Sequence, residues 1–140
     1  MPQTKVDHNR YLAPDRAVTV YDSAGKPIKV NLRAIEDITE ATLKNGWSNS
    51  GGAAPNASYY KNLFGEVRLR GLISGGTTAD TTVILVLPSG YRPDRELSML
   101  CSQGTGSTWT AKIASNGEIS CYGLAASTAV SLDNINFRSA

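Results

Sequence analysis

The chain is poor in the residues that most catalytic sites are built from. Its 140 residues include one histidine, His8, and two cysteines, Cys101 and Cys121. A single histidine excludes a histidine-based triad and a multi-histidine metal site within one chain. Neither GxxxxGK[ST] nor GxGxxG occurs, which excludes the two commonest nucleotide cradles. "GTGST" at 104–108 lies between two strand patterns rather than ahead of a helix, so it reads as a hairpin loop. No run approaches the roughly 20 apolar residues of a membrane helix, and no membrane insertion is expected. The first twelve residues lack the apolar core of a signal peptide, so synthesis in a cytoplasm is expected. There Cys101 and Cys121 are expected as free thiols, with a disulfide between them left open. The formal net charge is +2 with no basic run, so no nucleic acid is expected as a partner. Nothing calls for a cofactor.

What is present is a folded, strand-rich chain. Hydrophobic residues make up 41% and charged residues 19%, which argues against disorder. Thirteen glycines, with abundant Ser, Thr and Asn, favour turns and strands over long helices. The pattern divides the chain into an attachment or oligomerisation segment at 1–45, a linker at 46–62 and a β domain at 63–140.

In the first segment, Val18 and Val20 alternate with Thr19 and Tyr21, "DSAGKP" turns, and Ile28 and Val30 alternate again. This predicts a β-hairpin over 16–32, which cannot bury both its faces alone. Residues 31–46 carry Leu32, Ile35, Ile38 or Thr39, and Thr42 or Leu43 at helical spacing, between Asn31 as a cap and Gly46 as a stop. They predict one short helix, whose apolar stripe is either core or a seam between three copies. The stretch 46–62 is rich in Gly, Ser, Asn and Ala and reads as a linker or long surface loop. Trp47, Tyr59 and Tyr60 are expected to tack it to a domain.

From residue 63 the chain reads as strand after strand. "EVRLR" alternates, "TTVILVLP" is apolar in both phases, "ELSMLCS" alternates, and "TWTAKIASNGEISCYG" is a hairpin. In "AVSLDNINF" the apolar phase slips at Asp133-Asn134, which predicts a bulge. Short strands at close intervals predict an antiparallel sandwich or barrel, jelly-roll-like. The run Val83–Leu87 is expected to cross its middle and to end at Pro88, where Gly90 and Pro93 turn the chain to the other sheet.

Acidic pairs are the remaining route to catalysis. Glu36, Asp37 and Glu40 fall on the polar side of the expected helix. Glu66, Asp80, Asp94, Glu96, Glu118 and Asp133 are isolated and mostly at turns. A glycosidase pair drawn from them stays open, but so short a domain has little room for a deep cleft, and no enzyme is expected.

Four stretches occur together in one order: "EVRLRGLISGG" (66–76), "LPSGYRPDREL" (87–97), "IASNGEIS" (113–120) and "VSLDNINFRSA" (130–140). In that order the β domain resembles the C-terminal domains of phage baseplate, tail-tip and tail-fibre proteins, including the head domains of receptor-binding proteins. The resemblance implies a virion structural protein, homotrimeric, with its β domain outward for host attachment. Its partners would be copies of itself, other virion proteins and a host-surface polysaccharide. Val18, Val20, Leu32, Ile35, Ile38 and Leu43 would serve attachment and assembly.

A glycan site on such a protein is shallow and sets an aromatic platform beside polar groups. Trp109 is the platform candidate, with Tyr91, Arg92, Asp94 and Tyr122 around it. The competing reading makes Trp109 core, in phase with Ala111 and Ile113. Arg68 and Arg70 either line a subunit interface or face water. The alternative function is a capsid or tail decoration protein that stabilises the virion without binding a receptor.

Overall fold

A computed structural model describes residues 17–31, 38–104, 106–126 and 128–140. The described chain is mainly β, as expected, and contains no helix. It separates into two compact units, 1–36 and 37–140.

The first unit contains the predicted hairpin. β1 (Ala17–Tyr21) pairs antiparallel with β2 (Pro27–Asn31), and Val20 stands opposite Ile28. Its turn is held by Asp22, whose carboxylate accepts from the backbone N–H of Ala24 at 2.9 Å and Lys26 at 2.8 Å. Gly25 takes a φ of +76° there, which glycine adopts without strain. Val20 and Ile28 each remain 48% exposed and Tyr21 65%. A two-stranded ribbon has no second layer to cover them.

Among the described residues the second unit has eleven strands in two sheets. In chain order they are β3 (Thr39–Glu40), β4 (Ser48–Asn49), β5 (Ser58–Lys61), β6 (Glu66–Arg70), β7 (Leu72–Ser74), β8 (Val83–Val86), β9 (Leu97–Gln103), β10 (Ser107–Ile113), β11 (Glu118–Tyr122), β12 (Val130–Ser131) and β13 (Asn136–Arg138). The larger sheet runs β4-β7-β12-β9-β10-β11-β8 and curls into a half-barrel; the smaller runs β13-β6-β5-β3. Their inner faces share one apolar cluster, with Val67, Leu69 and Phe137 from the smaller sheet and Ile73, Leu85, Trp109, Ile113 and Ile119 from the larger. Each such side chain contributes roughly 1.5–3 kcal/mol on burial.

The chain changes sheets at two points that lie side by side. At Gly71, with a φ of +128°, it leaves β6 for β7. At Asp133-Asn134 it leaves β12 for β13. Asp133 Oδ1 accepts the Gly71 N–H at 2.9 Å and the Leu132 N–H reaches the Gly71 carbonyl at 2.9 Å. The phase slip at Asp133-Asn134 is therefore a turn between sheets, not a bulge. Val130, Leu132, Ile135 and Phe137 all stay buried because both sheets face the same core.

Three further expectations change. Residues 38–44 are extended and 45–46 form a turn where a helix was predicted, and Leu32 and Ile35 lie outside the described residues. Leu43 bridges Leu85 on the outer edge of β8, the Lys44 N–H reaches the Ile84 carbonyl at 2.8 Å, and Asn45 Nδ2 reaches the Val83 carbonyl at 2.7 Å. Covering an open strand edge outweighs a weak helical stripe. Leu43 thus packs on its own unit, while Ile38 is 51% exposed.

Residues 46–62 contain β4 and β5, and Trp47 and Ala57 are buried there. The Trp47 ring lies so close over Gly76 that an added Cβ would stand 2.1 Å from it. Low periodicity in this stretch reflects short strands rather than a linker.

Finally, β8 is an edge strand. Its apolar run fills both phases because the register shifts opposite Ile119 and Ser120, leaving Ile84 as the extra residue. The corner after it leads to β9 in the same sheet, with β10 and β11 lying between them, and not to the other sheet.

Candidate functional site

The five residues expected to form a glycan site are not brought together. Trp109 is 1% exposed, and its Nε1–H donates to the Ser102 carbonyl at 3.1 Å. A ring held in the core by apolar neighbours and a backbone bond presents no face to a sugar. Arg92 is structural: its Nε–H donates to the Leu87 carbonyl at 2.8 Å, and its own carbonyl accepts the N–H of Ala140 at 2.8 Å. Tyr91 packs edge-on against Tyr59, ring centroids 5.0 Å apart, with Lys61 Nζ 5.1 Å from its ring and bonded to the Gly90 carbonyl at 2.9 Å. Asp94 is exposed in the same corner. Tyr122 lies elsewhere, on the outer face of the larger sheet, with Lys112 Nζ 4.7 Å over its ring. Lys112 also faces Glu96 at 3.6 Å.

The thiols are inert by placement. Cys101 and Cys121 are buried and free, on strands separated by β10. Burial pushes the Cys101 thiol up to about 11, and burial likewise raises Cys121. Among the described residues no group of three His, Cys, Asp or Glu is placed to hold a metal. No described helix is long and apolar enough to cross a membrane.

The surface with most unspent chemistry is the outer face of the smaller sheet. Val67, Leu69 and Phe137 point inward, so Glu66, Arg68 and Arg70 of β6 and Asn136 and Arg138 of β13 point outward. Register sets Asn136, Arg68 and Tyr60 in one row across three strands, Arg138 beside Glu66, and Arg70 beside Ser58 and then Glu40. Arg68 Nη2 contacts both Glu66 carboxylate oxygens at 3.3 Å, and that bond and charge hold the guanidinium pKa above its ordinary value. Glu66 also accepts from Asn62 Nδ2 at 2.9 Å, and Glu40 accepts from Asn56 Nδ2 at 2.9 Å. Both carboxylates are thus occupied. Arg70 and Arg138 are exposed, and their guanidiniums make no ion pair or hydrogen bond among the described residues.

One end of this face carries an exposed aromatic. The turn from β5 to β6 is pinned by Asn62, whose Oδ1 accepts the N–H groups of Phe64 and Glu66, each at 3.0 Å, with Gly65 at a φ of +79°. The pinned turn leaves Phe64 85% exposed and Leu63 49%. A shallow pocket there is lined by Phe64, Glu66, Asn136, Phe137 and Arg138. Sequence reading singled out Arg68 and Arg70 but not Phe64 or Arg138. The signal for Phe64 was "NLFG" between two alternating runs, a turn that must place its apolar residues at a tip.

No protein-family model and no curated protein matches the chain. Among solved structures, the receptor binding protein of Listeria phage PSA is similar, with a TM-score of 0.64 and 19% identity. The match covers 74% of this chain and 65% of that one, so the chain spans under two thirds of that protein's length. The likeness is one of fold, and it agrees with the receptor-binding-protein-like β domain that the four stretches suggested.

Proposed function

We propose that the chain is a non-enzymatic structural protein of a phage virion. It is a homotrimeric tail appendage whose jelly-roll-like β unit adheres to a glycan on the host surface. The observation that carries this reading is the shared fold with a phage receptor binding protein over 74% of the chain. The shallow outer face with half-buried Tyr60 and exposed Phe64, Arg70 and Arg138 supports it, since an exposed aromatic beside open donors suits a sugar. The non-enzymatic part is supported by the duties of four of the six acids of residues 63–140: Glu66 is tied to Arg68, Glu96 to Lys112, Asp80 to the Gly123 N–H and Asp133 to the Gly71 N–H.

The test is a reconstruction of the virion together with binding of fluorescent protein to host cells. Density at the tail tip or baseplate and saturable labelling of cells are expected. Density spread over the capsid lattice, with unlabelled cells, would make the protein a decoration protein instead.

The hairpin supplies the assembly half of this reading. Val20 and Ile28 face each other across β1 and β2 with nearly half their surface exposed. A buried interface would suit that pair, and Val20→Asp would place a charge in it. The variant is expected to sediment as a monomer while keeping the parental Tm of residues 37–140. An unchanged oligomer would remove the hairpin from the assembly interface.

A further inference from the structure

We infer that the outer face of the smaller sheet takes an anionic saccharide polymer, carrying carboxylate or phosphate groups, rather than a neutral glycan. The inference rests on the adhesion reading above and assigns its ligand class. Three arginines and two glutamates point out of this face, and both glutamates are already bonded, Glu66 to Arg68 and Asn62, Glu40 to Asn56. What remains is two guanidiniums without an ion pair, at opposite ends of the sheet; Glu40 is bonded only to a neutral amide and keeps its charge, so three arginines against two glutamates leave the face at +1. Arg138 lies beside Glu66, and Arg70 is four residues further along β6, about 13 Å away at strand rise. Between them the row Asn136–Arg68–Tyr60 supplies an amide and a phenol.

The shape argues for a chain of sugars. The face is open, its pocket is shallow, and two cations so far apart are met together only by an extended ligand with repeated charge. Guanidinium groups bind carboxylate and phosphate oxygens through paired N–H donors, which a neutral sugar cannot match. Phe64, 85% exposed on a turn pinned by Asn62, offers a platform for one sugar ring beside Arg138. The proposed order along the face is a sugar on Phe64, a charge on Arg138, polar contacts at Asn136 and Tyr60, and a second charge on Arg70.

The experiment uses the full chain and four polymers: polygalacturonate, its fully methyl-esterified form, phosphomannan, and dephosphorylated mannan. The expected result is measurable affinity for polygalacturonate, phosphomannan or both, and none for the neutral counterparts; the two charged arms decide between carboxylate and phosphate. Arg70→Ala/Arg138→Ala should weaken binding at least tenfold, and Phe64→Ala severalfold. The control Lys44→Ala/Arg95→Ala removes two exposed cations elsewhere and should leave affinity within twofold. Equal loss in the control would reduce the effect to net charge and overturn the site. So would a change of oligomeric state in the arginine variant, which would make the face a subunit contact. Cell labelling that persists without affinity for either polyanion, or that is unchanged in the arginine variant, would sink this inference and leave adhesion standing. Unlabelled cells would sink the adhesion reading.

Discussion

Trp109→Ala is expected to cost the β unit about 3–5 kcal/mol, the range for removing a fully buried tryptophan from a core that cannot collapse around the void. Trp109 is 1% exposed at the centre of the larger sheet, opposite Cys101 on β9 and in phase with Ala111 and Ile113. In a unit of this size each kcal/mol moves Tm by several degrees, so a fall of roughly 15–30 °C should appear in a thermal melt. Trp109→Phe keeps most of the ring but leaves the Ser102 carbonyl without the Nε1–H it accepts at 3.1 Å. It should cost about 1–2 kcal/mol. The pair of variants separates the two readings that the sequence left open. A ligand platform would lose binding and keep its Tm; a core residue loses Tm in proportion to the volume removed. An alanine variant melting with the parent would overturn the core assignment.

Much of the β unit was legible because alternation survives wherever one face meets a core. The strands at 66–70, 97–103, 107–113 and 118–122 all carry that signature. What failed depended on partners distant in sequence. Leu43 and Lys44 look helical by spacing, yet they close the edge of β8, some forty residues away. Trp47 and Ala57 sit in a stretch without periodicity because each lies just ahead of a short strand, β4 or β5, and packs closely on a glycine distant in sequence, Gly76 or Gly71. The slip at Asp133-Asn134 looked like a bulge because a change of sheet and a change of phase leave the same mark. The site was less legible than the fold. Tyr91 and Arg92 drew attention as exposed chemistry, but their groups are used in holding the corner. Arg138 drew none, since it lies at the end of a three-residue strand, and only the register with Glu66 shows it on the arginine face.

That corner carries the sharpest prediction. Gly117→Ala should destabilise the β unit by at least about 4 kcal/mol, beyond the usual range for a single surface-turn substitution. Gly117 has a φ of +91°, and a Cβ there would stand 2.3 Å from the Leu87 carbonyl oxygen and 2.8 Å from Arg92 Nε. The backbone oxygen cannot swing aside, because it accepts from Arg92 Nε at 2.8 Å, while the Leu87 N–H donates to the Gly117 carbonyl at 2.9 Å. Relieving the clash therefore breaks the bonds that fix Pro88–Pro93 and, through the Arg92 carbonyl, the C-terminal Ala140. The molecule contains its own control. Gly90 has the same φ of +91° but nothing within 4 Å of its Cβ position. Gly90→Ala should cost only the conformational strain, about 1–2 kcal/mol. Urea unfolding of the two variants isolates the clash as the difference between them. Equal losses would mean that the turn at Gly117 yields freely, and that the stiff corner after β8 is held by Pro88 and Pro93 alone.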